Sequence, residues 1–244
     1  MNAKRAFRAG QVALPSHETP PPRKGKQEPV ASTKTRPAKQ AKPLSRIQEV
    51  NRKAILDAAL EVFATSGFRG ATIDEIATRC GMSKPNLLYY FKSKRDIYQQ
   101  VLEQTLEEWL GPFAAIDPNA DPVEELRRYI TAKLVMSEKR PEASKLFANE
   151  ILHGAPVIHG FLETHLRQLV HEKAGVIRQW VSDGKLAPID PYHLIFTIWA
   201  TTQHYADFDV QIRAVIGSQA GKPGFYEQAA QAVLSIILNG IRPR

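Results

Sequence analysis

From residue 45 onward, apolar residues return every three or four positions, and no stretch bounded by turn signals alternates with the period of two that a strand requires. Ile47, Val50, Ile55, Ala58, Ala59, Val62 and Phe63 fall at helical spacings over about 45 to 66, and Gly67 stops that helix. Phe68-Arg69-Gly70 reads as a turn. Thr72, with Glu75 three residues on, reads as a capping box. Ile73, Ile76, Ala77 and Cys80 then give a short helix one apolar face. Gly81 ends it by taking a positive φ. Ser83 suits the N-cap of the next helix and Pro85 its first turn. Leu87, Leu88 and Phe91 pack that helix back, which leaves Lys84, Asn86, Tyr89 and Tyr90 facing outward.

A fourth helix starts near Ser93 and runs to about Gly111-Pro112, with Leu102, Leu106, Trp109 and Phe113 along one face. Asp121-Pro122 and Asp190-Pro191 each place an Asp N-cap before a Pro, and open helices near 121 to 140 and 191 to 217. Pro141 opens a short helix ending at His153-Gly154. Pro156 opens a long one reaching Asp183-Gly184, and Pro223 opens the last, which ends at Gly240. The pattern predicts an all-α fold of about nine helices. Residues 45 to 93 form an N-terminal three-helix unit, and 94 to 244 a larger helical ligand-binding and dimerisation unit.

Two short helices joined at Gly81 have the form of a helix-turn-helix. Spacing alone leaves a DNA-reading pair and a plain αα-hairpin about level. The Tyr89-Tyr90-Phe91 end, followed by Lys92 and Lys94, favours DNA. A recognition helix meets base edges with its N-terminal residues while flanking cations and hydroxyls hold phosphates. Lys84, Asn86 and Tyr89 are the candidates for bases or nearby sugars. Thr72, Ser83, Tyr90 and Lys94 are the candidates for phosphates, with Arg52 as a further possibility.

Charge sharpens this division. Residues 1 to 44 hold ten Lys/Arg against two Asp/Glu, and seven of the 17 prolines. They read as a disordered basic arm, which either adds phosphate contacts or is a solvated tail. Residues 45 to 93 carry seven basic and five acidic groups, and residues 94 to 244 sixteen and eighteen. The mild positive excess therefore lies on the helix-turn-helix, and the slightly acidic larger unit is not expected to touch nucleic acid. One cysteine excludes an internal disulfide and fits a reducing cytoplasm. No apolar run approaches a membrane helix, and no signal-peptide core is present. No phosphate-binding loop, metal-spaced Cys/His set or arranged nucleophile appears, so neither metal, cofactor nor enzymatic activity is expected.

One helix-turn-helix covers too few base pairs, so a homodimer reading two half-sites is expected. The apolar last helix, with Tyr226, Ala229, Ala230, Val233, Leu234, Ile236, Ile237 and Leu238, is the candidate interface. Polar groups also lie on apolar faces: Trp199 and Gln203 on one helix, Phe147 and Glu150 on another. A buried Gln amide asks for a donor and an acceptor side by side, and an indole supplies a flat wall. Spacing permits a pocket but equally permits plain core.

Thr72…Ile76-Ala77…Gly81-Met82-Ser83…Leu87-Leu88-Tyr89-Tyr90-Phe91…Lys94 resembles the DNA-binding domain of the TetR family of bacterial regulators. Leu88 and Tyr90 stand where that family usually has Tyr and often has His. Lys185-Leu186-Ala187-Pro188-Ile189-Asp190-Pro191, Ile198-Trp199-Ala200 and Gln203-His204-Tyr205-Ala206-Asp207-Phe208 resemble the Rut-type pyrimidine-utilisation regulators within it, as does the terminal Gly240-Ile241-Arg242-Pro243-Arg244. The resemblance covers roughly 45 to 244. It implies a repressor of double-stranded operator DNA whose effector is uracil or thymine. It also implies a pocket at Trp109, Trp199, Gln203 and Glu150, walled by Leu106 and Phe147. A relative of the base, such as a dihydropyrimidine, remains an alternative effector, and a sequence-indifferent architectural DNA-binding protein an alternative function.

Overall fold

A computed structural model describes residues 45–243, all of whose regular structure is helical. The basic arm lies outside the described residues. Helix α1 (Arg46–Gly70) opens on a capping box in which Ser45 accepts from the Gln48 backbone while the Gln48 side chain returns to the Ser45 N–H. Gly67 leaves helical backbone at φ 67°, yet a further turn follows to Gly70, so the break expected there is a kink within α1. Helices α2 (Ile73–Arg79) and α3 (Lys84–Tyr90) meet at Gly81, whose φ of 68° is the left-handed turn expected of it. Thr72 caps α2 by accepting from Glu75 N at 3.1 Å, whereas the reciprocal half of the expected capping box is not formed.

Helix α4 (Lys94–Ala114) continues past its expected end, with Pro112 in the last turn, where its missing N–H forfeits one ladder bond. Helices α5 (Pro122–Lys139) and α6 (Pro141–Leu152) start as expected. The long helix expected from Pro156 begins instead at His159. It comprises α7 (His159–Phe161), a π turn over Leu162–Leu166, and α8 (Arg167–Ser182). The delay has a cause in the side chain of Glu150, which takes the Val157 and Ile158 N–H groups as acceptor and holds 156–158 as a turn. The helix expected over 191 to 217 also breaks. Phe208, at φ −117° and ψ 28°, separates α9 (Pro191–Asp207) from α10 (Asp209–Ile216). No Gly or Pro marks that break. Helix α11 (Phe225–Ile241) packs on α5 and α9.

One hydrophobic core runs through the 44–244 unit. Ile55, Phe63, Ile76, Leu87, Phe91 and Ile97 bury the helix-turn-helix against α1 and the start of α4. Each such side chain contributes roughly 1.5–3 kcal/mol by leaving water. α4 then carries the core onward through Leu102, Leu106, Trp109 and Phe113 to α5, α6 and α9. The helix-turn-helix and the larger helical body are therefore joined by one continuous helix, α4.

Candidate functional site

Helix α3 presents an exposed face. Ser83 caps it through Asn86 N, and Leu87 at 0% exposure anchors it. Tyr89 is 71% exposed, an unusual state for a large aromatic side chain, and Asn86 is exposed beside it. The Tyr89 ring stands edge-on to Tyr90 at 5.2 Å. Its hydroxyl accepts from Gln48 at 3.2 Å, while the half-buried Tyr90 hydroxyl accepts from Asn51 at 2.8 Å. Both tyrosines are thereby tied to α1. Lys84 reaches Asp74 on α2 at 2.8 Å, an exposed pair of little energetic weight that is free to exchange Asp74 for a phosphate or base.

Lys94 is more committed. Its Nζ donates to Ala71 O at 2.7 Å and Arg69 O at 3.4 Å, and lies 4.8 Å from the Phe68 ring centroid. It thus caps the carboxyl end of α1. Arg52 is likewise knitted inward: it donates to Tyr90 O and to the Gln100 side chain, and lies 4.5 Å from the Phe91 ring centroid. Lys94→Ala separates two roles. If Lys94 also touches phosphate, operator binding shows a salt slope lower by about one. An unchanged slope with a lowered melting temperature leaves it as a cap alone.

The second feature is a cavity of about 580 Å³ lined by residues of α4, α5, α6, the π turn and α9, within the size range of small-molecule sites. Trp109 and Leu106 from α4, Phe147 from α6 and Trp199 and Gln203 from α9 all line it. Trp109 meets Phe147 edge-on at 5.5 Å. The Trp199 indole N–H donates to Tyr129 at 2.6 Å, which leaves this indole as a wall rather than a donor. Burial pushes the Tyr129 phenol far up, and it stays neutral.

Tyr129, Lys133, Lys145, Asn149 and Asp207 also line the cavity and were not among the sequence candidates, and three of these bear on its chemistry. Lys133 on α5 is 4% exposed, with its Nζ 4.5 Å from the Trp109 ring centroid. No acceptor among the described residues hydrogen-bonds that ammonium, and what exposure it keeps is to the cavity it lines. Burial lowers its pKa from 10.5 to about 8, partly offset by the charge of Asp207. Asp207 is itself pushed up by burial and held back by the Ser144 hydroxyl, Lys133, Lys145 and His204. Tyr129 completes the set. Asp207 was quoted only as part of a motif, and Lys133 looked like a solvated helix charge. Only its i, i+4 relation to the buried Tyr129 hinted otherwise.

A family model described as bacterial regulatory proteins, tetR family, matches residues 55–101, and one described as YcdC-like protein, C-terminal region, matches residues 102–244. The HTH-type transcriptional regulator RutR of Escherichia coli strain K12 is 48% identical over 200 residues, covering 82% of this chain and 94% of RutR. The chain belongs to the TetR family. It is a DNA-binding transcriptional regulator. The HTH-type transcriptional repressor KstR2 of Mycolicibacterium smegmatis is 26% identical over 198 residues, covering 78% of this chain and 90% of that one. The fold is shared with the solved ketosteroid transcriptional regulator KstR2 of Mycobacterium tuberculosis at a TM-score of 0.63 and 23% identity, over 86% of this chain and all of that one.

One sequence assignment in this TetR-family regulator needs correction. Glu150 does not line the cavity, although Phe147, Ala148, Asn149, Ile151 and Leu152 around it do. Its buried carboxylate is occupied by Tyr98 OH at 3.2 Å, Val157 N at 2.7 Å and Ile158 N at 3.3 Å. Helical spacing places Glu150 one turn from Phe147 but does not say which neighbours fill its acceptors. Among the described residues, no helix is long and apolar enough to cross a membrane.

Proposed function

We propose that the protein is a one-component repressor that binds operator DNA as a homodimer and is released by a pyrimidine base, uracil or thymine. The observation that carries this reading is Lys133, a buried ammonium with unused N–H donors at a cavity walled by indoles. A buried cation without acceptors is costly, and a ligand carbonyl relieves it. A pyrimidine base is planar and edged by alternating C=O and N–H. Lys133 donates to a carbonyl oxygen, the Gln203 amide offers both a donor and an acceptor, and Asp207 is an acceptor for a ring N–H. Trp109 and Trp199 supply flat walls for the ring. The similarity to RutR supports the same effector class.

Ligand against Trp109 bears directly on α4, which continues into the DNA-reading end. A shift there alters the spacing of two recognition helices in a dimer. Coupling of this kind is typically 1–3 kcal/mol, about 5- to 150-fold in operator affinity. The dimer reading is supported by α11, where Ile236, 76% exposed, and the exposed Ala232 one turn before it form an apolar patch on the face turned away from the core.

Calorimetric titration of the full chain with uracil, beside operator gel shifts with and without it, tests the reading. Heat with DNA release is expected; neither heat nor release removes the pyrimidine effector. Gln203→Leu is expected to weaken uracil binding roughly 10- to 100-fold, because part of the ring edge is left unpaired, and to leave operator binding intact. A variant that responds normally makes Gln203 structural. Dihydrouracil, whose ring is not planar, is expected to bind more weakly than uracil, and a tighter response to it would move the assignment to dihydropyrimidines.

A further inference from the structure

The effector reading leaves the buried carboxylate of Glu150 without a task. Glu150 is 5% exposed on α6, among residues that line the cavity, yet its carboxylate is turned to other partners. One oxygen accepts from the hydroxyl of Tyr98, in the second turn of α4. The other accepts from the N–H groups of Val157 and Ile158. The same turn is held a second time, because Arg95 in the first turn of α4 donates to Pro156 O at 3.0 Å. The flanks of the turn reach the cavity on both sides, through Leu152 before it and through Leu162 and Leu166 of the π turn after it.

Beyond Tyr98 the path enters the DNA-binding end. The Tyr98 ring packs edge-on to Phe63 of α1 at 4.9 Å and lies 4.8 Å from Phe68. Phe68 in turn lies under the ammonium of Lys94. We propose that Glu150, Tyr98 and the 155–158 turn form a relay that carries the state of the cavity to the helix-turn-helix. Ligand contact with Leu152, Leu162 or Leu166 moves the turn, the turn moves the carboxylate, and the carboxylate and Arg95 pull on the first two turns of α4. The inference rests on the effector reading only for the identity of the ligand.

Two features make the turn a switch rather than a cushion. Buried polar networks are satisfied together or not at all, since a half-made network leaves donors unpaired in a dry site. Ala155, the only non-glycine residue at positive φ among the described residues, is buried in the turn at φ 54°. That conformation costs an alanine energy which the surrounding bonds must hold in place. The π turn at Leu162–Leu166 that follows is of a kind that recurs at functional sites.

Tyr98→Phe cuts the relay and keeps the ring against Phe63 and Phe68. The measurement is the ratio of operator Kd with and without saturating uracil, with uracil heat recorded on the same samples. In Tyr98→Phe, uracil heat is expected to persist while the ratio falls to within about twofold of one. A network that only holds the fold together lowers the melting temperature and leaves the ratio at its wild-type value, and that result overturns the relay. Arg95→Met, which frees Pro156, reads the same ratio through the second link should Tyr98→Phe unfold. If wild-type protein gives no heat with uracil, the effector reading fails and the relay is tested without it. Ala148→Trp fills the cavity from α6 and is expected to weaken operator binding at least fivefold, and Tyr98→Phe in that background is expected to restore it. An Ala148→Trp effect that is absent, or that Tyr98→Phe leaves in place, overturns the relay.

Discussion

Replacing Lys133 with methionine is expected to raise the stability of the fold by roughly 3 kcal/mol at pH 7 while weakening uracil binding at least tenfold. The stability gain follows from the lysine's pKa, which falls from 10.5 to about 8 on folding. Each tenfold shift in proton affinity is worth about 1.4 kcal/mol. The sign is fixed by which state holds the proton. Between pH 8 and 10.5 the unfolded chain keeps a proton that the folded chain has released, so wild-type stability rises over that window. Below pH 8 the whole cost of the buried cation is present. Methionine, similar in length and at ease against the Trp109 ring, removes that cost. Urea unfolding at pH 7 and pH 10 checks this, and the advantage of Lys133→Met should largely vanish at the higher pH. The binding loss follows from the missing charged donor, worth about 1.5–3 kcal/mol to a hydrogen-bonded carbonyl. An unchanged uracil affinity would take Lys133 out of the site.

Glu150→Ala is expected to act in the opposite sense, lowering stability by roughly 3–5 kcal/mol, at about 1–3 kcal/mol for each buried donor left unpaired. It strands the Val157 and Ile158 amides and the Tyr98 hydroxyl in a buried setting. For a chain of this size that lowers the melting temperature by roughly 10 °C. Glu150→Gln keeps an oxygen for the two amides and an N–H for the Tyr98 oxygen, and should lose well under half as much. Thermal melts of the two variants separate this from a ligand contact. A contact residue would lose uracil heat in Glu150→Ala while the melting temperature held.

The helical skeleton was legible because its punctuation is local. The Asp121-Pro122 and Asp190-Pro191 starts, the Ser83 cap and the Gly81 turn each need only neighbouring residues, and each stands where the pattern put it. The breaks that escaped depend on distant partners. Nothing near Pro156 announces that a carboxylate six residues earlier will claim the amides of a would-be first turn. Nothing near Phe208 interrupts the periodicity of α9. The cavity divides the same way. Trp109, Trp199, Gln203, Leu106 and Phe147 carry the aromatic and amide character that marks a pocket, whereas Lys133 is a charge whose burial arises only when α4, α5 and α9 close over it. The reach of Lys94 to the carbonyls at the end of α1 likewise spans 23 residues and leaves no mark in its own helix.

The chain has three tryptophans. Two of them, Trp109 and Trp199, face the cavity, and the third is held away from it by a hydrogen bond from its indole to Pro118 O at 2.9 Å. The protein therefore contains both an optical reporter and an internal standard. Occupancy should dim or shift the emission of the first pair while Trp180 supplies a constant background. Trp180→Phe would strip that background away and turn the intrinsic fluorescence into a direct gauge of how full the cavity is.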